Sequence, residues 1–91
     1  MQPIISDAVV IGVDTHKDVH VAVALSGLGF RLGEVSAPVT ADGYRQLADW
    51  ARGHGIVHAV GVEGTGSYGA GLSRALAAQG FRVIEVNRPN R

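Results

Sequence analysis

One stretch, Val57–Asn87, constrains the chain more than any other. An apolar run through Ile56, Val57, Ala59, Val60 and Val62 ends at Glu63, and Gly64-Thr65-Gly66-Ser67-Tyr68-Gly69 follows. A helix-like segment, Ala70–Gln79, then leads through Gly80 to a second apolar run, Phe81, Val83, Ile84 and Val86. This is the grammar of a βαβ unit: strand, glycine turn, helix, strand. In open α/β sheets ligands bind at the carboxyl ends of parallel strands, which is where Glu63 falls. Asp14 closes another apolar run, Ala8–Val13. The expectation is a fold that brings Asp14 and Glu63 together.

The remaining elements follow from periodicity. Ala8–Asp14 reads as a strand buried on both faces, because its apolar residues are nearly continuous. Met1–Asp7 is a loose lead-in, and Thr15-His16-Lys17-Asp18 is a polar turn. Val19, Val21, Val23 and Leu25 alternate with His20, Ala22 and Ala24, the period of a strand. Ser26-Gly27-Leu28-Gly29 is turn chemistry, and Phe30–Val39 supplies a third strand, so these three form an antiparallel meander. Thr40 is placed to N-cap a helix whose apolar face is Tyr44, Leu47, Ala48 and Ala51, with Trp50 on its flank and Gly53 and Gly55 at its end. Leu72, Ala75 and Leu76 form the inward face of the second helix.

The order βββαβαβ predicts an α/β fold with a mixed five-stranded sheet in spatial order 3-2-1-4-5, the ribonuclease H arrangement. Right-handed crossovers from strand 3 to 4 and from 4 to 5 place both helices on one face. The other face, rich in Val, Ile and Ala, is then left without cover, and such a surface marks an interaction site.

Composition narrows the function classes. The chain has 91 residues, enough for one small domain, with 46% apolar and 18% charged residues, a folded rather than disordered balance. It has no cysteine, which excludes disulfides and thiolate metal sites. No apolar run approaches the ~20 residues of a membrane span, and no secretory leader is legible, so a cytoplasmic location without membrane contact is the default. Eight Lys and Arg balance eight Asp and Glu, so no basic excess advertises nucleic acid.

Asp14 and Glu63 on neighbouring parallel strands would have backbones ~4.8 Å apart. Like charges at that spacing repel by roughly 3 kcal/mol at an effective dielectric of 20. A divalent Mg2+ or Mn2+, which takes oxygen ligands, is the natural resident between them. Around this pair, Lys17 is a candidate phosphate contact, and His16 a candidate for acting on the site through Asp14. The bland alternative for both is a solvated turn. Arg88 and Arg91 are candidate backbone contacts at a chain end. Thr65 or Ser67 is expected to N-cap the second helix, and Tyr68 to pack or touch substrate. His20, His54 and His58 are too scattered for a metal cluster and are expected to be structural or exposed. A rival reading comes from the glycines: Gly64-x-Gly66-x-x-Gly69 is a dinucleotide-binding fingerprint for NAD(P), with Glu85 in the place of a ribose-binding acid. Against it, Glu63 would set a negative charge beside the pyrophosphate. NAD binding by the purified chain would favour that rival.

Three segments together, Ile11-Gly12-Val13-Asp14-Thr15-His16-Lys17-Asp18, Gly61 to Gly69, and Val86-Asn87-Arg88-Pro89, resemble the N-terminal part of the DEDD insertion-sequence transposases of the IS110 group, relatives of the Piv-type invertases. The resemblance runs from about Val9 to Arg91. It implies a RuvC-like, ribonuclease-H-fold domain spanning the chain, in which four acids bind divalent metal for DNA strand cleavage and transfer. Asp14 matches the first acid and Glu63 the second, as catalytic and metal residues. Lys17, Thr65, Ser67, Tyr68 and Arg88 are the candidate nucleic-acid contacts. The family's third and fourth acids follow the Asn-Arg-Pro segment and are not among these residues, so the chain is expected to be a fragment, inactive alone. The family also implies DNA, an element-encoded guide RNA and a homo-oligomer as partners. A non-catalytic remnant that associates through its bare sheet face is the third alternative.

Overall fold

The computed structural model describes residues 8–64 and 68–86. Chain order is β1 (Ala8–Thr15), β2 (Val19–Ser26), β3 (Arg31–Pro38), α1 (Ala41–Arg52), β4 (Ile56–Glu63), α2 (Ala70–Ala78) and β5 (Val83–Val86). The strands form one five-stranded sheet in the order β3-β2-β1-β4-β5. β1 and β2, and β2 and β3, pair antiparallel; β1 and β4, and β4 and β5, pair parallel. This is the expected ribonuclease-H-like topology.

Local chemistry accounts for the joints. Ser26 closes the β2–β3 hairpin, its hydroxyl accepting from the amides of Leu28 and Phe30. Thr40 caps α1 as expected, its hydroxyl accepting from the Gly43 amide at 3.0 Å. At the far end, the Arg52 guanidinium donates to the Gln79 side chain and carbonyl and lies 4.4 Å over the Phe81 ring. That clasp holds the C-terminal ends of α1 and α2 together while satisfying a carbonyl the helix leaves unpaired.

The core occupies one face of the sheet. Val9, Ile11 and Val13 of β1, Ala22 and Ala24 of β2, and Val60 and Val62 of β4 are buried there against Leu47, Ala48 and Ala51 of α1 and Leu72 and Leu76 of α2. Both helices therefore lie on the same side, as the crossover handedness requires.

Some expectations need correction. β1 is buried on one face only: Val10 is 37% exposed, and Gly12 and Asp14 beside it are open. Its continuous apolar run reflects an apolar outer face, which no element of this chain covers among the described residues. α2 begins at a Gly69 N-cap with no side-chain capping bond, and Thr65 and Ser67, expected to cap it, lie outside the described residues. β3 is a residue shorter at each end than Phe30–Val39, and β5 starts at Val83 rather than Phe81. Gln79 is the C-cap of α2 rather than its last residue. Met1–Asp7 and Asn87 lie outside the described residues. Among the described residues, no helix is long and apolar enough to cross a membrane.

Candidate functional site

The site is built where β1 and β4 end. Their pairing begins with Ala8 level with Ile56 and Val9 with Val57, then shifts so that Val10 meets Ala59. β4 thus carries one extra residue, His58, and the ladder continues through Gly12–Gly61 to Val13–Val62. Asp14 and Glu63 are the residues that follow directly on that last pair. Without the bulge Glu63 would come level with Thr15 and turn toward the helices, because a one-residue slip reverses the face of every side chain.

Both acids face the open side of the sheet. They border a shallow depression of about 480 Å³ whose floor includes Val10, Gly12, Val21, Val23 and Gly61. The Arg31–Glu34 ion pair stands at the depression's far side. Asp14 Oδ2 lies 3.2 Å from His16 Nε2, both side chains being half exposed. An exposed pair of this kind contributes little to stability but puts an ionisable ring beside the carboxylate.

Behind the acids, on the helix side, β1 ends in Thr15, which is 6% exposed. Its hydroxyl donates to the Glu63 carbonyl at 2.7 Å. The glycine loop closes here, the Gly69 amide donating to the Gly64 carbonyl at 3.0 Å. Gly64 has φ +73°, and a Cβ there would come within 2.5 Å of Thr15 Oγ1; at Gly69 a Cβ would lie 3.0 Å from Thr15 Cγ2. Packing against Thr15 and the positive φ therefore demand glycine at Gly64, and at Gly69 leave only a tight fit for a side chain. Gly66, in its middle, lies outside the described residues.

His20 sits level with Thr15 on β2 and is wholly buried, its ring stacked 6.2 Å from that of Tyr44. Neither ring nitrogen has a hydrogen-bond partner among the described residues. Burial, and secondarily the nearby His16, push its pKa below the ordinary value.

Lys17 is exposed in the β1–β2 turn, one residue past His16, and Tyr68 is 49% exposed just before α2. Thr65, Ser67, Arg88 and Arg91 lie outside the described residues. Glu85 is level with Val62 on β5, on the opposite face from Glu63, so it is not brought to the pair. His54 packs against Trp50 at 4.6 Å, and His58 is exposed, both as expected of non-ligands. His20 is structural, as expected, while Thr15, expected in a polar turn, ends β1; alternation from Val9 through Ile11 and Val13 puts residue 15 on the covered side.

Two carboxylates offer the hard oxygen donors that Mg2+ and Mn2+ take, but they are only part of a six-fold shell. Among the described residues, no group of three or more His, Cys, Asp or Glu side chains is assembled to hold a metal. No curated protein matches the chain. A family model of IS110-type DEDD proteins, described as transposase, matches residues 11–90 and so contains Asp14, Glu63 and the glycine loop. This chain belongs to the IS110 family of DEDD transposases.

Proposed function

We propose that Asp14 and Glu63 are two of the acids of a divalent-metal site for DNA strand cleavage and transfer, the chemistry of a transposase. The observation that carries the reading is that Asp14 and Glu63 each follow directly on the last registered pair of parallel β1 and β4, Val13–Val62, and line the same depression. Mg2+ or Mn2+, when bound, supplies Lewis-acid polarisation of the scissile phosphate. The chain's own residues hold and orient it: Asp14 and Glu63 supply oxygen ligands, and His16 orients the Asp14 carboxylate. Lys17 and Tyr68, exposed at the same end of the sheet, contact the DNA backbone. Thr65, Ser67 and Arg88 join them by family resemblance alone. DNA, an element-encoded guide RNA and self-association are the partners the family suggests for the whole protein.

With two acids, the chain holds metal weakly, since Mg2+ keeps its water unless several ligands are fixed in place. The test has two parts. Mn2+, a paramagnetic probe, is expected to broaden the amide resonances of Asp14 and Glu63 selectively, and the Asp14→Asn and Glu63→Gln variants to lose that selectivity. In a Mg2+-dependent plasmid-nicking assay the 91-residue chain is expected to show no turnover. Absence of selective broadening would remove the metal reading. Robust nicking abolished by Asp14→Asn would show instead that these two acids suffice.

A further inference from the structure

Thr15 is a buried side chain whose polar bond crosses from one acid-bearing strand to the other. It follows Asp14 directly on β1, and its hydroxyl reaches the carbonyl of Glu63 on β4. The last registered pair of the two strands is Val13–Val62. Beyond it the Thr15 bond joins the strand ends at the level of the acids. A residue's carbonyl and its side chain share one Cα, so holding the Glu63 carbonyl fixes where its carboxylate starts. Thr15 thereby links the two acids through their backbones while pointing to the opposite face from both.

The loop that follows is wrapped on the same side chain. A Cβ at Gly64 would come within 2.5 Å of Thr15 Oγ1, and the Thr15 methyl lies against Gly69. The hydroxyl and the methyl therefore each contact one end of the loop that leads from Glu63 into α2. Loss of the hydroxyl would remove this cross-strand donor to the Glu63 carbonyl, even if the methyl packing survived.

The geometry points to Thr15 as a positioning residue of the Asp14–Glu63 site, its hydroxyl holding Glu63 level with Asp14 and so setting the gap a divalent cation spans. This rests on the metal reading proposed for those two acids. Groups that orient metal ligands without touching the metal commonly govern affinity as strongly as this. A threonine that merely satisfies its own buried hydroxyl would instead affect stability alone.

The experiment compares the 15N-labelled chain with its Thr15→Val and Thr15→Ser variants, each titrated with Mn2+ and followed by amide line broadening, with urea unfolding alongside. Thr15→Val keeps the shape and removes the donor; it is expected to need about ten-fold more Mn2+ for the same broadening at Glu63. Thr15→Ser keeps the donor and is expected to titrate close to the parent, although its lost methyl lowers the unfolding midpoint. A Thr15→Val variant that titrates like the parent overturns the inference, whatever its stability. Should Thr15→Val not fold, Thr15→Ala takes its place against Thr15→Ser, and equal Mn2+ requirements overturn it. Failure of the metal reading looks different: the parent itself then shows no selective broadening, and this inference falls with it.

Discussion

The two faces of the sheet are made from the same alternating strands, yet they are used differently. On the helix side, β2 contributes His20, Ala22 and Ala24, all buried; on the other side it contributes Val19, Val21, Val23 and Leu25, all partly exposed. The bulkier apolar residues of β2 thus face outward, while the small ones are buried on the helix side. Beside those valines lie Val10, Ile84 and Val86, each about two-fifths exposed, and at the end of the same surface sit Asp14 and Glu63. One face is packed against the helices, and the other has no cover among the described residues. Hydrophobic content alone does not separate core from interface; cover does.

That contrast can be broken from the covered side first. Leu72→Ala removes a fully buried side chain between α2 and the sheet, and should cost about 2–5 kcal/mol in urea unfolding. In a domain this small, that is a large share of total stability. A smaller effect comes from His20 on the same face. Its native pKa lies below the ordinary 6.5, so below that pH the unfolded chain binds more protons than the native one. Stability from this source is constant above about pH 6.5 and falls as the pH drops from there toward the lowered native value. His20→Phe should flatten that portion of the stability–pH profile. The smallest effect belongs to the open face: Val23→Thr should change stability by less than about 0.5 kcal/mol. A loss as large as that of Leu72→Ala would mean that the outer face is covered in solution.

Much of the architecture was legible before any coordinates. Alternation marked β2, the Tyr44–Ala51 spacing marked α1, and short against long connections separated antiparallel from parallel pairing, which leads to the observed strand order. Burial of β1 on both faces was misread, because an apolar run shows that a strand is apolar and not what lies on either side of it. Thr65 and Ser67, expected to cap α2, lie outside the described residues, and the N-cap is Gly69, packed closely on Thr15 and Val62. His20 is buried as a structural histidine, whereas Thr15, read as part of a polar turn, ends β1 instead; isolated polar residues in a strand carry no pattern, and their roles lie in partners contributed by β4 and α1.

The sequence by itself determined that two acids end two parallel strands, since strand ends follow from where apolar runs stop and glycine begins. Whether those acids share a face was decided only by the tertiary structure. His58 adds one residue to β4 between the pairs Val9–Val57 and Val10–Ala59, and a side-chain period of two turns that single residue into a half-rotation of everything after it. Buried valines enforce the shift: with it, Val60 and Val62 join Ile11 and Val13 beneath the helices, and Glu63 comes round to Asp14 as a consequence of core packing.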